Sequence, residues 1–202
     1  MGLIQQGEIL AIVAGASFAS GLNVYATVAT LGILSRLGLF QLPPALHTLN
    51  SWPVIIAAGA LFTAEFFADK IPLFDLLWNA LHTFIRVPVA ALLAYGATQN
   101  LSPTTQLLAT LLGASIALAA HGGKMAVRSA ITPSPEPFSN MALSLGEDAL
   151  AVCLTWLATQ HPIITAVIVA VLLLAVIVAI RWVFRAFKRL FRRPGTRSAR
   201  AV

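Results

Sequence analysis

Residues 162–180 read Pro-Ile-Ile-Thr-Ala-Val-Ile-Val-Ala-Val-Leu-Leu-Leu-Ala-Val-Ile-Val-Ala-Ile, with Thr165 the one polar side chain after the opening proline. A helix needs about 20 mostly apolar residues to cross a bilayer's hydrocarbon core, and this stretch supplies them. Pro162 suits a first helical turn, where its missing N–H costs nothing. Arg181 follows at once, and from there to the C-terminus the chain holds eight Lys/Arg and no acid. An apolar span ending in a basic run is the signature of a membrane helix with a cytoplasmic flank.

The rest of the 202-residue chain has the same character. Apolar residues make up 58% and charged residues 10%, with a mean hydropathy of +0.86. Soluble domains carry about 25% charged residues, so a disordered chain and an ordinary nucleic-acid-binding domain are excluded and a soluble enzyme is disfavoured. The net charge of +6 divides into +8 after residue 180 and −2 before it, because residues 1–180 hold five Lys/Arg and seven Asp/Glu. So placed, the positive charge points to anionic lipid headgroups rather than nucleic acid. One cysteine, Cys153, permits no intrachain disulfide.

The expected architecture is an all-α membrane protein of about six transmembrane helices. The apolar segments run over about 8–34, 52–69, 87–98, 104–128, 140–159 and 162–180. A short amphipathic or re-entrant helix over 73–86 precedes the third. A Pro-rich broken segment, 132–138, separates the fourth and fifth, with Ser139 or Asn140 as N-cap of the fifth. Residues 1–180 form one transmembrane domain. Residues 181–202 form a basic amphipathic tail, disordered after about 194. With six spans and the tail inside, both termini are cytoplasmic. Lys70, Arg86, Lys124 and Arg128 then fall inside and only Arg36 outside.

Six of the seven acids lie between Glu65 and Asp148, all in the cytoplasmic half. Ionisable groups in a membrane are costly unless paired or hydrated, so each marks a candidate site. Glu65 and Asp69 share a helical face, with Lys70 next. Asp75, Asn79, His82 and Arg86 make a polar stripe on an otherwise apolar helix, facing water or a protein cleft. His121, Lys124 and Arg128 share a face of the fourth span. Asn140, Ser144 and Glu147 or Asp148 share one on the fifth. Ser20, Asn23, Thr27 and Thr30 line one side of the first, where packing with hydrogen bonds is the plainer reading. An offset of 54 aligns Gly59-Ala60 with Gly113-Ala114, Lys70 with Lys124 and Phe84 with Phe138, a weak parallel repeat of the kind transporters use.

For substrate or ion binding these blocks single out Asn23, Glu65, Asp69, Lys70, Asp75, His82, Arg86, His121, Lys124, Arg128, Glu136, Asn140, Glu147 and Asp148. Glu147 or Asp148 can neutralise Lys124 or Arg128, and Glu65 or Asp69 can neutralise Arg86, so a network that locks the bundle is the structural alternative. Six acids against four Lys/Arg leave an excess of two negative charges, which favours a cation or proton site.

Several stretches together resemble a known family. They are Gly21-Leu22-Asn23-Val24-Tyr25-Ala26-Thr27, Glu65 through Pro72, His82-Thr83-Phe84-Ile85-Arg86, Ser134 through Asn140, and Glu147-Asp148. The chain from about Ile9 to His161 resembles the bacterial membrane proteins grouped as domain of unknown function 4126. One departure is Val87, standing between Arg86 and Pro88 where the family pattern places Pro. The resemblance implies a multi-spanning bacterial inner-membrane protein and imparts no activity.

Three functions fit the residues. The first is a small-solute or cation/proton carrier or channel. The second is a membrane-embedded enzyme on a lipid or polyprenyl phosphate headgroup, with Lys70, Arg86, Lys124 and Arg128 holding phosphate. The third is a non-transporting scaffold. No catalytic signature occurs, no catalytic residue is assigned, and no spacing supports a metal set from His82 and His121. The cofactor is unknown. The expected partners are anionic headgroups at the tail, with a homo-oligomer left open.

Overall fold

The computed structural model describes residues 3–68, 72–131 and 137–190; the side chains of 3, 72–77, 129–131, 137–140, 186, 187, 189 and 190 are outside the description. No strand occurs among the described residues. The helices are α1 (Leu3–Leu22), α2 (Val24–Arg36), α3 (Trp52–Ala68), α4 (Pro72–Ala97), α5 (Pro103–Ile131), α6 (Pro137–Gln160) and α7 (Pro162–Leu190), with a 3-10 turn over Pro44–Asn50. Trp78–Ala97, Pro103–Arg128, Met141–Gln160 and Pro162–Arg185 are long and apolar enough to cross a membrane. The 3-10 turn and α3, bent by 65°, make a fifth candidate. Large apolar side chains such as Leu107, Leu111, Val167, Val171, Leu174 and Val178 face outward, as a lipid solvent requires. The chain is an all-helical, multi-pass membrane protein.

The first expected span is not a through-going helix. It breaks at Asn23, whose backbone is extended (φ −149°, ψ 105°) and whose side-chain oxygen accepts from the Ala26 N–H at 2.9 Å, capping α2. Contacts on both sides of the break show that the chain turns back. Along α1, Ser17 lies with Gly113 and Ala94, while the Gly21 carbonyl meets Arg86, so α1 runs antiparallel to α4. Along α2, Tyr25 meets His82 while Leu31 packs with Val89 and Leu93, so α2 runs parallel to α4. Helix α6 agrees: Gly15 abuts Ala158, Asn23 bonds Asp148, and Leu39, just past α2, accepts from Gln160. A cavity of about 400 Å³ is accordingly lined by Gln5 and Ile9 from the start of α1 together with Leu31 and Phe40 from beyond the turn. Thus α1 and α2 form a hairpin with its apex at Asn23. Both arms rise toward the end that holds the 37–51, 98–102 and 161 links, here the open end. The ends of α3, α5 and α7 and the starts of α4 and α6 lie at the apex end.

Of the six expected apolar units, four hold helices long enough to cross, the second is the bent candidate of the 3-10 turn and α3, and the first is this hairpin. Sequence periodicity missed the turn because Ser20, Asn23, Thr27 and Thr30 also suit one face of a continuous helix. A one-residue break leaves no loop signature. The hairpin's first arm is central, packing against α4, α5, α6 and α7. Gly21 permits the approach, since a Cβ there would stand 2.4 Å from the Ala117 carbonyl oxygen. Phe18, Ala19, Leu22, Ala26, Ile116, Ala120, Ala151, Leu154 and Val169 form the core around it.

Two further expectations need correction. Residues 73–86 are not a separate interfacial or re-entrant helix: α4 continues from Pro72 through Pro88 to Ala97. A proline removes one N–H and crowds one carbonyl, which a packed membrane helix tolerates. The stripe on α4 therefore faces protein, with Asn79, His82 and Arg86 at most 3% exposed. Helix α6 begins at Pro137, not at a Ser139 or Asn140 cap, because proline suits the first helical position. The broken segment at 132–136 and the tail after residue 190 lie outside the described residues. The amphipathic extension continues α7 to Leu190 as helix, with Arg181, Arg185 and Lys188 exposed. The α3–α4 and α5–α6 pairs run out and back in the same sense, as the weak repeat requires. Their glycines are not equivalent, since Gly113 abuts Ala94 and Ser17 while Gly59 has open space.

Candidate functional site

Among the described residues six Asp, Glu, Lys and Arg side chains are buried at the hairpin apex: Glu65, Arg86, Lys124, Arg128, Glu147 and Asp148. They come from α3, α4, α5 and α6, and they close on the broken helix from several sides. The order alternates in sign. Arg86 pairs with Glu65. Lys124 Nζ stands 3.8 Å from Glu65 Oε1 and 3.2 Å from Glu147 Oε2. Arg128 closes the chain, donating from Nη2 to Glu147 Oε2 at 2.6 Å and from Nε to the same oxygen at 3.2 Å. This forked contact orients Glu147, which a lysine's point charge would not do.

The break in the first unit explains the placing of these charges. A helix end leaves carbonyls without intrahelical partners, and they carry the negative end of the helix dipole. The Gly21 carbonyl, near the end of α1, accepts from Arg86 Nη1 at 3.4 Å, and the Leu22 carbonyl, at its end, accepts from Lys124 Nζ at 3.3 Å. The N-terminus of α2 has the opposite polarity. There the Asn23 amide donates to Asp148 Oδ1 at 2.8 Å, so a carboxylate sits against the positive end. Asn23 thus caps α2 with its oxygen and holds Asp148 with its nitrogen.

Two histidines flank the network. His121 Nδ1 lies 2.9 Å from Arg86 Nη1, and a guanidinium only donates, so Nδ1 accepts and the ring proton sits on Nε2. Nε2 then donates to Thr83 Oγ1 at 2.8 Å. His82 Nδ1 donates to the Trp78 carbonyl at 2.7 Å, which leaves Nε2 to accept from the Tyr25 hydroxyl at 3.0 Å. His82 stacks on the Trp78 ring at 4.6 Å between centroids.

The structure therefore brings Asn23, Glu65, Arg86, His121, Lys124, Arg128, Glu147 and Asp148 together, with His82 beside them. Of the alternatives the sequence left open, Glu65 pairs with Arg86, and Glu147 pairs with both Lys124 and Arg128. Asp69, Lys70 and Glu136 lie outside the described residues, as do the side chains of Asp75 and Asn140. The excess of carboxylates inferred from the sequence is not seen among the described buried charges, where three acids meet three bases. Sequence reasoning assigned no role to the Gly21 and Leu22 carbonyls, Tyr25 or Thr83. The signal for the carbonyls was an asparagine with capping chemistry inside an apolar run. Tyr25 and Thr83 stood within the polar blocks without a predicted partner.

Among the described residues, no group of three or more His, Cys, Asp and Glu is placed to hold a metal ion. The arrangement supplies a buried, sign-alternating ion network joined to a helix break. Two openings approach it. The 400 Å³ cavity descends from the open end between the hairpin arms to Ser17, whose hydroxyl is 1% exposed and has no hydrogen-bond partner among the described residues. A groove of about 240 Å³ between α1, α5, α6 and α7 reaches Lys124 and Glu147 from the side.

No curated protein and no solved structure matches this chain. A family model matches residues 10–182, about twenty residues beyond the stretch on which the resemblance was read. It takes in the hairpin, every charge of the network and the whole apolar part of α7: the chain belongs to the family described as Domain of unknown function (DUF4126).

Proposed function

We propose that this protein is a small-solute or cation/proton carrier of the bacterial inner membrane, with the hairpin-apex network as its translocation site. The observation that carries the reading is the broken first unit, whose end carbonyls and N-terminus are met by buried charges from three other helices, α4, α5 and α6. Discontinuous helices at mid-bundle are how membrane carriers offer backbone groups to solutes. The open-end cavity serves as the vestibule, and Ser17 gives it a polar floor above the network. Buried paired charges exchange partners when a charged solute or proton arrives, which couples binding to helix movement.

Orientation follows from the basic residues that are not part of the described network. Arg86, Lys124 and Arg128 belong to the network, so they no longer count as loop charges. In the sequence Lys70 follows the end of α3, and the eight basic residues after residue 180 follow the apolar part of α7; both of these helix ends lie at the apex end, against Arg36 at the open end. The apex end is then cytoplasmic. The C-terminus is cytoplasmic, as the sequence suggested. The start of α1 lies on the outer side, because the hairpin adds no crossing. The basic tail contacts anionic headgroups of the inner leaflet.

Proteoliposomes test the carrier reading. Glu65→Gln and Glu147→Gln are expected to lower flux of a proton or cation tracer at least tenfold while the proteins stay monodisperse. Normal flux in both variants removes the reading.

The balance of three acids against three bases favours a second reading, a scaffold whose network only locks the bundle. It predicts that exchanging the charges of Glu147 and Lys124 restores function that either single reversal loses.

A further inference from the structure

We propose that the oxygen cage around the Lys124 ammonium is a binding site for an aliphatic ammonium ion, which enters by the side groove and takes the lysine's place. Among the described residues three oxygens stand near Nζ, each from a different helix: Glu147 Oε2 at 3.2 Å, the Leu22 carbonyl at 3.3 Å and Glu65 Oε1 at 3.8 Å. Two carboxylates and a helix-end carbonyl are the donor set that a monovalent cation recognises. Of the three buried bases, Lys124 is the replaceable one. Arg86 and Arg128 are planar forks on Glu65 and Glu147, whereas a lysine is a point charge on a flexible stem. When Lys124 withdraws, each glutamate keeps its arginine, but the described network of Glu65, Arg86, Arg128, Glu147 and Asp148 is left one positive charge short. A second ammonium restores neutrality.

The groove fixes the class of cation. Its inner wall holds Lys124 and Glu147, and the remaining lining is hydrocarbon, including Phe18, Val127, Leu143, Leu150 and Val176. An inorganic cation gains nothing from such walls. A primary amine with a short hydrocarbon chain lays that chain on them and presents its head to Glu147, as the lysine's own butylammonium end does now. An amine as the transported solute rests on the carrier reading above; its binding needs no flux.

Thermal unfolding in mild detergent is the test, with n-butylammonium as the probe. Lys124→Ala is expected to lower the unfolding temperature by on the order of 10 °C, since it breaks a buried pair. n-Butylammonium should recover at least half of that loss, methylammonium less, and n-butanol almost none, while wild-type protein shifts little. No recovery, or equal recovery with n-butanol, overturns the site. Lys124→Met serves where the alanine variant does not fold; it fills the stem's volume and lacks only the ammonium, so there methylammonium should recover more than n-butylammonium, and no recovery with either overturns the site. If neither variant survives purification, monodisperse recovery on gel filtration should rise at least severalfold with n-butylammonium present, and unchanged recovery overturns the site. Rescue without n-butylammonium uptake by wild-type proteoliposomes supports the site and removes the amine as a transported solute; the carrier reading stands or falls by the tracer flux of Glu65→Gln and Glu147→Gln. Tracer flux without rescue keeps the carrier reading and overturns the amine site.

Discussion

At the scale of single residues, the energetics turn on how costly a lone buried charge is. Glu65 and Arg86 are fully buried and paired with each other. Removing one partner of such a pair costs about 3–5 kcal/mol, because the survivor stays buried without compensation. Arg86→Met and Glu65→Leu are each expected to destabilise by that amount. The double variant should cost clearly less than their sum, as a thermal-unfolding cycle in detergent would show; additive losses would mean that the two charges do not depend on each other. Asn23 joins two tasks, so Asn23→Ala is expected to exceed the roughly 1 kcal/mol of an ordinary cap, since Asp148 also loses its donor. A loss no larger than that of a surface substitution would contradict the apex geometry. The candidates for pairing were legible in the sequence, because opposite charges seek each other in hydrocarbon, but the choice between Glu147 and Asp148, or between Glu65 and Asp69, was not. The carbonyl partners were not legible, because a backbone acceptor becomes available only where the helix breaks.

At the scale of elements, the hairpin depends on close approach of α1 and α5. Gly21 has no room for a side chain against Ala117 and Ala120. Gly21→Leu is expected to drive α1 off α5 and abolish monodisperse protein, whereas Gly59→Leu, at a position with open space, should leave the unfolding temperature within a few degrees. Similar behaviour of both variants would sink the packing of the central arm. The outer helices were legible: α7 is apolar almost all round, and only 11% of its spanning window is buried. The course of α4 was harder to read. Its stripe of Asn79, His82 and Arg86 has the periodicity of an interfacial helix, and Pro88 mimics a stop. What separates the two readings is tertiary: the stripe's partners come from α1, α2, α3 and α5, and sequence spacing carries no record of them.

At the scale of the whole molecule, the hairpin changes the parity of the fold. Six through-going spans return the chain to the side where it began. Five crossings and a hairpin do not, so α1 starts at the open end and α7 finishes at the apex end. The same geometry puts the cavity at the open end and the network toward the apex end, so the proposed carrier, with its vestibule outside, depends on the turn at Asn23. Accessibility of single cysteines in a Cys153→Ala background tests that turn most directly. Gln5→Cys and Ser198→Cys would be labelled in whole spheroplasts with a membrane-impermeant maleimide. The hairpin predicts labelling at residue 5 from outside and at residue 198 only after the membrane is opened. Labelling of both positions from the same side would contradict the hairpin, and with it the site built on its apex.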